Sequence, residues 1–382
     1  MKRILVLGMN DSLWLRTYLN NVFGRSDEKY EIIVFGVYDQ ALFDLCSKRG
    51  YTFIYPAPVP KKIMTIPVIR GLVYRINYYH RVLQIRRKYR LDTIHIHYVE
   101  KAKLKAIKLL RNKTGKIVCT YWGSDLLRKS QSALNEEKKY LRYIDEFTFA
   151  TKEMQSFFCE KYGDDYYDKS IIVRFGIDTL DEIDKLIGEK KACKKRFDFP
   201  EDKLILTVGY NGSRSQQHLK VFEVINSFPE SARKKICVVV PMQYGNEADY
   251  KTEVETYLES AGFESRIIYE YTNTRETAAL RMASDCFIHS QVSDAFSASV
   301  QEYLYAEKIV FNPSWLSYSI IKDEGGFYHE YSSFEALGAM LYEYILDPCE
   351  ERNLNKLHLN HEIIKNLSSW KVQKDRWEQL YR

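Results

Sequence analysis

Short runs of aliphatic and β-branched residues alternate with longer amphipathic stretches along most of the chain. Ile4–Leu7 is an apolar run that stops at Gly8, and Asn10-Asp-Ser marks a helix start that extends to about Asn21. Glu31–Phe35 reads as a second strand, followed by a helix near Gln40–Lys48. Thr52–Tyr55, Thr93–His97, Ile117–Thr120, Phe147–Thr151 and Ile171–Val173 continue the strand series, separated by helical patterns. A second series opens at Leu204-Ile-Leu-Thr-Val-Gly and runs through Ile236–Val240, Arg266–Tyr269, Cys286–His289 and Ile309–Phe311. Strands that alternate with helices predict parallel, doubly wound sheets. Thr179–Pro200, charged, helix-prone and closed by Phe199-Pro200, reads as the connection between two domains. The stretch from about Phe334 to Arg382 is helical, carries Trp370 and Trp377, and is placed to cross back onto the first domain. The expected layout is α/β: a first domain over 1–178, a linker over 179–200, a second domain over 201–360 and a returning helix over 361–382, with the two domains facing a cleft.

Length agrees, since 382 residues exceed one typical core. The seven cysteines are scattered, with no Cys-x-x-Cys pair, which points to reduced thiols and a cytosolic setting. No apolar run approaches the roughly 20 residues of a membrane span, and the chain enters a strand at Lys2-Arg-Ile-Leu-Val-Leu without a leader pattern. Charge changes the picture more. Lys61–Lys116 holds 16 Lys or Arg against two acids, a net of +14 in a chain whose total is +6, which leaves −8 for the rest. Gly71–Arg87 and Lys101–Arg111 within it mix apolar, aromatic and basic residues at helical spacing. Apolar faces packed on the sheet and basic faces gathered on one side would suit an anionic bilayer surface or a phosphate-bearing acceptor. Arg75, Arg81, Arg86, Arg87, Lys101 and Lys105 are the candidates for that face. Nucleic acid is the competing polyanion, but no helix-turn-helix, zinc-ligand spacing or aromatic RNA-binding signature accompanies the charge, so none is expected as partner.

Three stretches carry candidate chemistry. Ser293–Asn312 sets Asp294 in a turn and Glu302 about two turns into a helix, between two buried strands. Ser297, Ala298 and Ser299 at the helix start let an anion approach free N–H groups. An ordinary amphipathic helix with its acids in water fits the same spacing. Thr120-Tyr-Trp-Gly-Ser-Asp-Leu-Leu ends one strand and Ile94-His95-Ile-His97-Tyr98 the strand before it. Asp125 and His97 are therefore candidate bases, acids or sugar-hydroxyl contacts. Asp125 also fits a helix N-cap, and His95 reads as a satisfied core histidine. Val208–Lys220 is a strand, a glycine-containing loop and a helix. Its backbone amides at Gly212, with Arg214 and His218 or Lys220, can neutralise a diphosphate; a solvated loop is the alternative. Neither a Walker sequence nor Gly-x-Gly-x-x-Gly occurs, and the eight histidines are too dispersed for a structural metal.

With these residues in view, the second half resembles the donor domain of GT-B glycosyltransferases, especially the family 4 group. Asp294-Ala-Phe-Ser-Ala-Ser-Val-Gln-Glu302 is similar to that group's Glu-x7-Glu signature, and Arg174-Phe-Gly-Ile-Asp178 resembles its Asn-Gly-Ile-Asp turn. Ala283-Ser-Asp-Cys-Phe-Ile-His-Ser is similar to the run upstream of the signature. Gly209–His218, Val240-Pro-Met-Gln-Tyr244 and Trp122-Gly-Ser-Asp125 further resemble bacterial lipid II 4-acetamido-4,6-dideoxygalactosyltransferases. The chain departs from the pattern in three places. The first acid is Asp, the loop after the first strand is Gly8-Met-Asn-Asp-Ser rather than glycine-rich, and Trp122 replaces the usual acceptor-side histidine.

The resemblance implies a GT-B fold of two Rossmann-like domains and a metal-independent hexosyl- or N-acetylhexosaminyl-type transferase. It would use a nucleotide-diphosphate sugar as donor and no cofactor. It places Glu302 at the nucleotide ribose, Asp294 beside the donor sugar, Arg214 and Lys220 at the diphosphate, and Asp125 and His97 toward the acceptor. The implied setting is cytoplasmic and peripheral at the inner face of the cell membrane. There the enzyme would transfer, with retention, to a lipid-linked or glycan acceptor in bacterial surface-polysaccharide assembly. Two alternatives share the fold: a nucleotide-sugar epimerase, which the +14 segment disfavours, and a catalytically silent sugar-nucleotide-binding subunit, which Asp294 and Trp122 permit.

Overall fold

Thirteen parallel strands form two sheets in the computed structural model, which describes residues 1–8, 12–24, 29–58, 67–245, 247–316, 318–348 and 353–382. Met1–Phe175 with Gln373–Arg382 make one unit and Gly176–Val372 the other.

In the first unit the strands are β1 (Lys2–Leu7), β2 (Tyr30–Phe35), β3 (Thr52–Ile54), β4 (Leu91–His97), β5 (Thr114–Thr120), β6 (Glu146–Phe149) and β7 (Ser170–Ile172), in the order β3-β2-β1-β4-β5-β6-β7. Leu5 of β1 lies opposite Ile33 on β2 and Ile94 on β4. Ile4, Leu5 and Val6 are all fully buried, so both faces of the strand are covered, as continuous apolar runs in parallel sheets require. The order turns back between β1 and β4, which opens a crevice at their C-terminal ends. β6 stops short of Thr151 because that side chain caps the next helix, Lys152–Tyr162, accepting from Met154 N at 3.2 Å. The first helix is described over Ser12–Val22; the expected start at Asn10 and Asp11 lies outside the described residues.

The second unit repeats the plan with β8 (Leu204–Val208), β9 (Ile236–Pro241), β10 (Glu264–Ile268), β11 (Cys286–Ile288), β12 (Ile309–Pro313) and β13 (His329–Tyr331), ordered β10-β9-β8-β11-β12-β13. Val208 pairs with Ile288, so the order reverses between β8 and β11. β13 is unanticipated: it is short, polar and at the sheet edge, with only Tyr331 buried.

Residues 179–200 are not a free connection. Helices Thr179–Asp184 and Lys190–Arg196 pack on helix Thr274–Ala283 within the second unit. Lys190 reaches Asp285 at 2.6 Å, and Asp285 in turn accepts from Ile205 N at 2.7 Å, sealing the segment to the sheet. The last ten residues belong to the first unit. Trp377 is buried and donates to the Arg174 carbonyl at 2.8 Å, and the Tyr381 hydroxyl meets Tyr18 and His95. His95 also bonds Thr120 Oγ1 at 2.6 Å, so it is a satisfied core histidine.

Candidate active site

The reversal between β8 and β11 gathers the second unit's candidate residues. Gly209, directly after β8, has φ +66, and a Cβ there would stand 2.5 Å from His218 Nε2, so only glycine makes this turn without strain. The turn carries Tyr210 toward the loop after β11. Its hydroxyl donates to Asp294 Oδ2 at 3.0 Å, while Asp294 Oδ1 accepts from Ala295 N at 2.7 Å. Fully buried His289 lies beside this pair, with Nε2 at 3.9 Å from Asp294 Oδ2. Its tautomer follows from Asn312. The Asn312 amide nitrogen donates to the Pro313 and Leu316 carbonyls at 3.0 and 2.8 Å, so its oxygen faces His289 Nδ1 at 2.9 Å and must accept the proton there. Burial lowers the His289 pKa despite the nearby carboxylate, leaving a neutral ring with its Nε2 lone pair toward Asp294.

The signature helix is Ala298–Tyr305, capped by Ser297, whose Oγ accepts from Val300 N at 3.4 Å. Glu302 therefore sits little more than one turn in, rather than two. It is buried, and its partner is a residue the sequence did not single out. Arg281 Nε and Nη2 meet Glu302 Oε2 at 3.0 and 2.8 Å, and Nη2 also reaches Ser299 Oγ at 3.3 Å.

Arg214 and Lys220 are placed differently. Arg214 is exposed, lies over the Tyr250 ring and is engaged by both oxygens of Glu253 at 2.7 and 2.6 Å. Lys220 donates to Gln217 Oε1 at 2.9 Å. Gly212 is tied into the same loop by a bond from its N–H to the Tyr244 carbonyl at 2.7 Å.

In the first unit, His97 closes β4 and Trp122 and Asp125 follow β5. Asp125 is buried, and both oxygens are taken: Oδ1 by the Trp122 and Gly123 amides at 2.8 and 2.9 Å, Oδ2 by the Val99 amide at 2.7 Å. Burial raises its pKa against those bonds. This carboxylate clamps two loops together and is not a base open to substrate, close to the capping alternative. His97 is fully buried, and neither ring nitrogen has a hydrogen-bond partner among the described residues. Burial, with His95 and Lys103 adding to it, holds it neutral. Buried Lys103 donates to the His97 and Tyr98 carbonyls at 3.0 and 2.8 Å and secures the strand end.

The basic helices divide in their behaviour. Helix Lys101–Leu110 buries Leu104, Ala106, Ile107 and Leu110 as expected, and Lys101 pairs with Glu136. Helix Pro67–Lys88 buries only its second half, through Val82 and Ile85. On its first half Val68, Leu72 and Ile76 are 83, 54 and 59% exposed, which corrects the expectation of an apolar face packed on the sheet. Arg75 and Arg87 are exposed and Arg86 is half-buried, Lys105 is half-buried on the other helix, and Arg81 is turned to the Tyr55 carbonyl at 3.1 Å.

Residues 61–152 match the family described as glycosyl transferase 4-like. Over all of this chain, the structure is similar to a glycosyltransferase from Rickettsia africae (TM-score 0.76, 16% identity, 97% of that chain). It is also similar to Anabaena HepE solved with UDP and glucose (0.71, 14%, 99%), and to sucrose-phosphate synthase from Thermosynechococcus elongatus (0.73, 12%, 98%). The fold is GT-B, of the glycosyltransferase type. No curated protein matches the chain by sequence. In GT-B terms the resemblance read from the sequence stands, and the Asp294–Glu302 signature lies at the second sheet's reversal.

Proposed function

We propose that the protein is a glycosyltransferase that draws on a nucleoside-diphosphate sugar, UDP being the nucleotide to test first because Anabaena HepE was solved with UDP-glucose. The observation that carries the reading is the buried Arg281–Glu302 pair, set with Asp294 and Tyr210 around the reversal between β8 and β11. Glu302, held in place by Arg281, would accept from the ribose. Asp294 would accept from a sugar hydroxyl. The helix start at Ala298 and Ser299 would offer the diphosphate the positive end of an eight-residue helix, while the Ser297 amide is taken by the Tyr318 hydroxyl at 3.4 Å. Arg214 would leave Glu253 for the leaving diphosphate, because exposed ion pairs are weak and readily exchanged. On this reading cationic side chains and N–H groups meet the departing charge without a metal, and transfer proceeds with retention.

The acceptor side is the first unit. Val68, Leu72 and Ile76, spaced one turn apart beside Arg70 and Arg75, fit a helix lying in an anionic lipid interface. This supports a lipid-linked or glycan acceptor at the inner face of the cell membrane, in bacterial surface-polysaccharide assembly. No helix among the described residues is long and apolar enough to cross a membrane.

Thermal stabilisation by UDP, GDP, dTDP and CMP tests the donor site, since a ligand at 100 times its Kd adds about 2.7 kcal/mol. The melting temperature should rise with one nucleoside diphosphate in the wild type and not in Glu302→Gln. No rise with any of the four, or an equal rise in the variant, would sink the assignment.

A further inference from the structure

The loop that follows β8, expected to receive a diphosphate, is already engaged by acceptors of the protein itself. Gly212 N donates to the Tyr244 carbonyl at 2.7 Å, Ser213 N to Asn211 Oδ1 at 3.0 Å and Arg214 N to Glu247 Oε1 at 3.2 Å. Ser213 Oγ donates to the same Glu247 oxygen at 2.9 Å. The Arg214 guanidinium gives both terminal nitrogens to Glu253, at 2.7 and 2.6 Å, and Glu247 Oε2 lies 4.0 Å from its Nε. Beyond the loop, helix His218–Asn226 has its first amide taken by the Tyr250 hydroxyl at 3.0 Å. Glu247, Tyr250 and Glu253 all come from helix Ala248–Glu259 and the residue before it. Spacings of three bring them to one side of that helix, and the Arg214 guanidinium lies over the Tyr250 ring at 4.7 Å.

Two of these acceptors carry charge. Together the carboxylates of Glu247 and Glu253 accept from a backbone amide, a serine hydroxyl and an arginine fork, the donors a diphosphate would use. A purely structural role is the weaker account. The two side chains are 49 and 44% exposed, and ion pairs in water contribute little to stability. Helix Ala248–Glu259 is anchored instead by buried Tyr250, Val254 and Leu258. We propose that Glu247 and Glu253 are an autoinhibitory stand-in for the diphosphate, occupying Arg214 and its loop until a nucleoside diphosphate displaces them. This regulation rests on the transferase reading. It raises the apparent Kd of the donor site by the inverse of the fraction of molecules in which the contact is open.

Calorimetric titration of the full chain with UDP, GDP and dTDP, and with their nucleosides, tests the contact. For the diphosphate that binds, Glu253→Ala should tighten Kd about two- to fivefold, as an exposed pair allows, and Glu247→Ala combined with Glu253→Ala roughly tenfold. The matching nucleoside, which has no phosphate, should bind every form alike. Glu259→Ala removes an equal charge from the end of the same helix and should leave Kd unchanged. In Arg214→Ala the further change Glu253→Ala should bring no gain, since that contact runs through the arginine. Melting temperatures without ligand should stay close to wild type. Wild-type binding that the Glu247 and Glu253 double variant leaves unchanged or weakens would overturn the stand-in and leave the donor site in place. An equal gain in Glu259→Ala, or with the nucleoside, would overturn it as well. If neither the wild type nor the double variant binds any of the three diphosphates, the transferase reading falls and the stand-in with it.

Discussion

A carboxylate buried without a partner is costly, and Glu302 escapes that cost through one residue. Arg281 meets it from helix Thr274–Ala283 at 2.8 Å, with both side chains nearly out of solvent. Removing one member of such a pair strands the other, so Arg281→Met should lower stability by about 3–5 kcal/mol in chemical denaturation. Arg281→Met combined with Glu302→Leu should recover most of that loss, since the stranded charge is then gone. If the double variant is no more stable than the single one, the pair is not what holds this region. The sequence marks Glu302 through its spacing from Asp294, but no such spacing singles out Arg281. The available sign was its position inside Ala278–Ala283, where every residue is buried. Asp125 shows the converse. Its type and its place after a strand suggested a base, yet the three amides that occupy it come from loop backbone that no side-chain pattern reveals.

Among the elements, helix Pro67–Lys88 is divided against itself. Its second half is anchored by Val82 and Ile85, while its first half holds Val68, Leu72 and Ile76 in water. Each such side chain is worth about 1.5–3 kcal/mol when buried, and each nearby Arg about 1 kcal/mol at an anionic surface. Replacing all three with Ser should cut co-sedimentation with phosphatidylserine-containing vesicles more than tenfold and leave the melting temperature unchanged. Undiminished vesicle binding in that variant would count against the interfacial role of this helix. The helix itself was plain in the sequence because its periodicity is regular. Which half meets the sheet was not, since both halves carry the same mixture of residues. The strands were legible for the reason their burial shows: unbroken Val and Ile runs are needed where both sheet faces are covered. That the helix-prone segment 179–200 packs within the second unit was not, because a polar segment that packs by one narrow edge resembles a linker.

Across the whole molecule, the two strand orders reverse at corresponding places, and a buried neutral histidine stands at each: His97 at the end of β4 and His289 after β11. His95 and His218 are buried as well, each with its pKa lowered to about 3. Unfolded histidines take up protons below about 6.5 while these stay neutral in the folded state, so the unfolded chain binds more protons as pH falls. Stability should therefore be full above that value and decline through it, the loss continuing until the folded groups titrate near 3. Between pH 7.5 and 5.5 the decline should be about 1.4 kcal/mol per histidine. It is measurable by urea denaturation at the two values, and His218→Gln should flatten it by about one such share; an equally steep decline in that variant would refute its part. The duplicated plan was legible from the two strand series, and the return of the C-terminal segment to the first unit was expected, although only the last ten residues belong there rather than all of 361–382. That ownership has a consequence for how the protein is made. Residues 1–175 leave the ribosome first, yet Tyr18 and His95 wait for Tyr381, and the Arg174 carbonyl waits for Trp377, until the whole of 176–372 has been synthesised. The half of the chain that is born first is thus finished last, and during that interval its unfilled aromatic pocket is the surface a chaperone would meet.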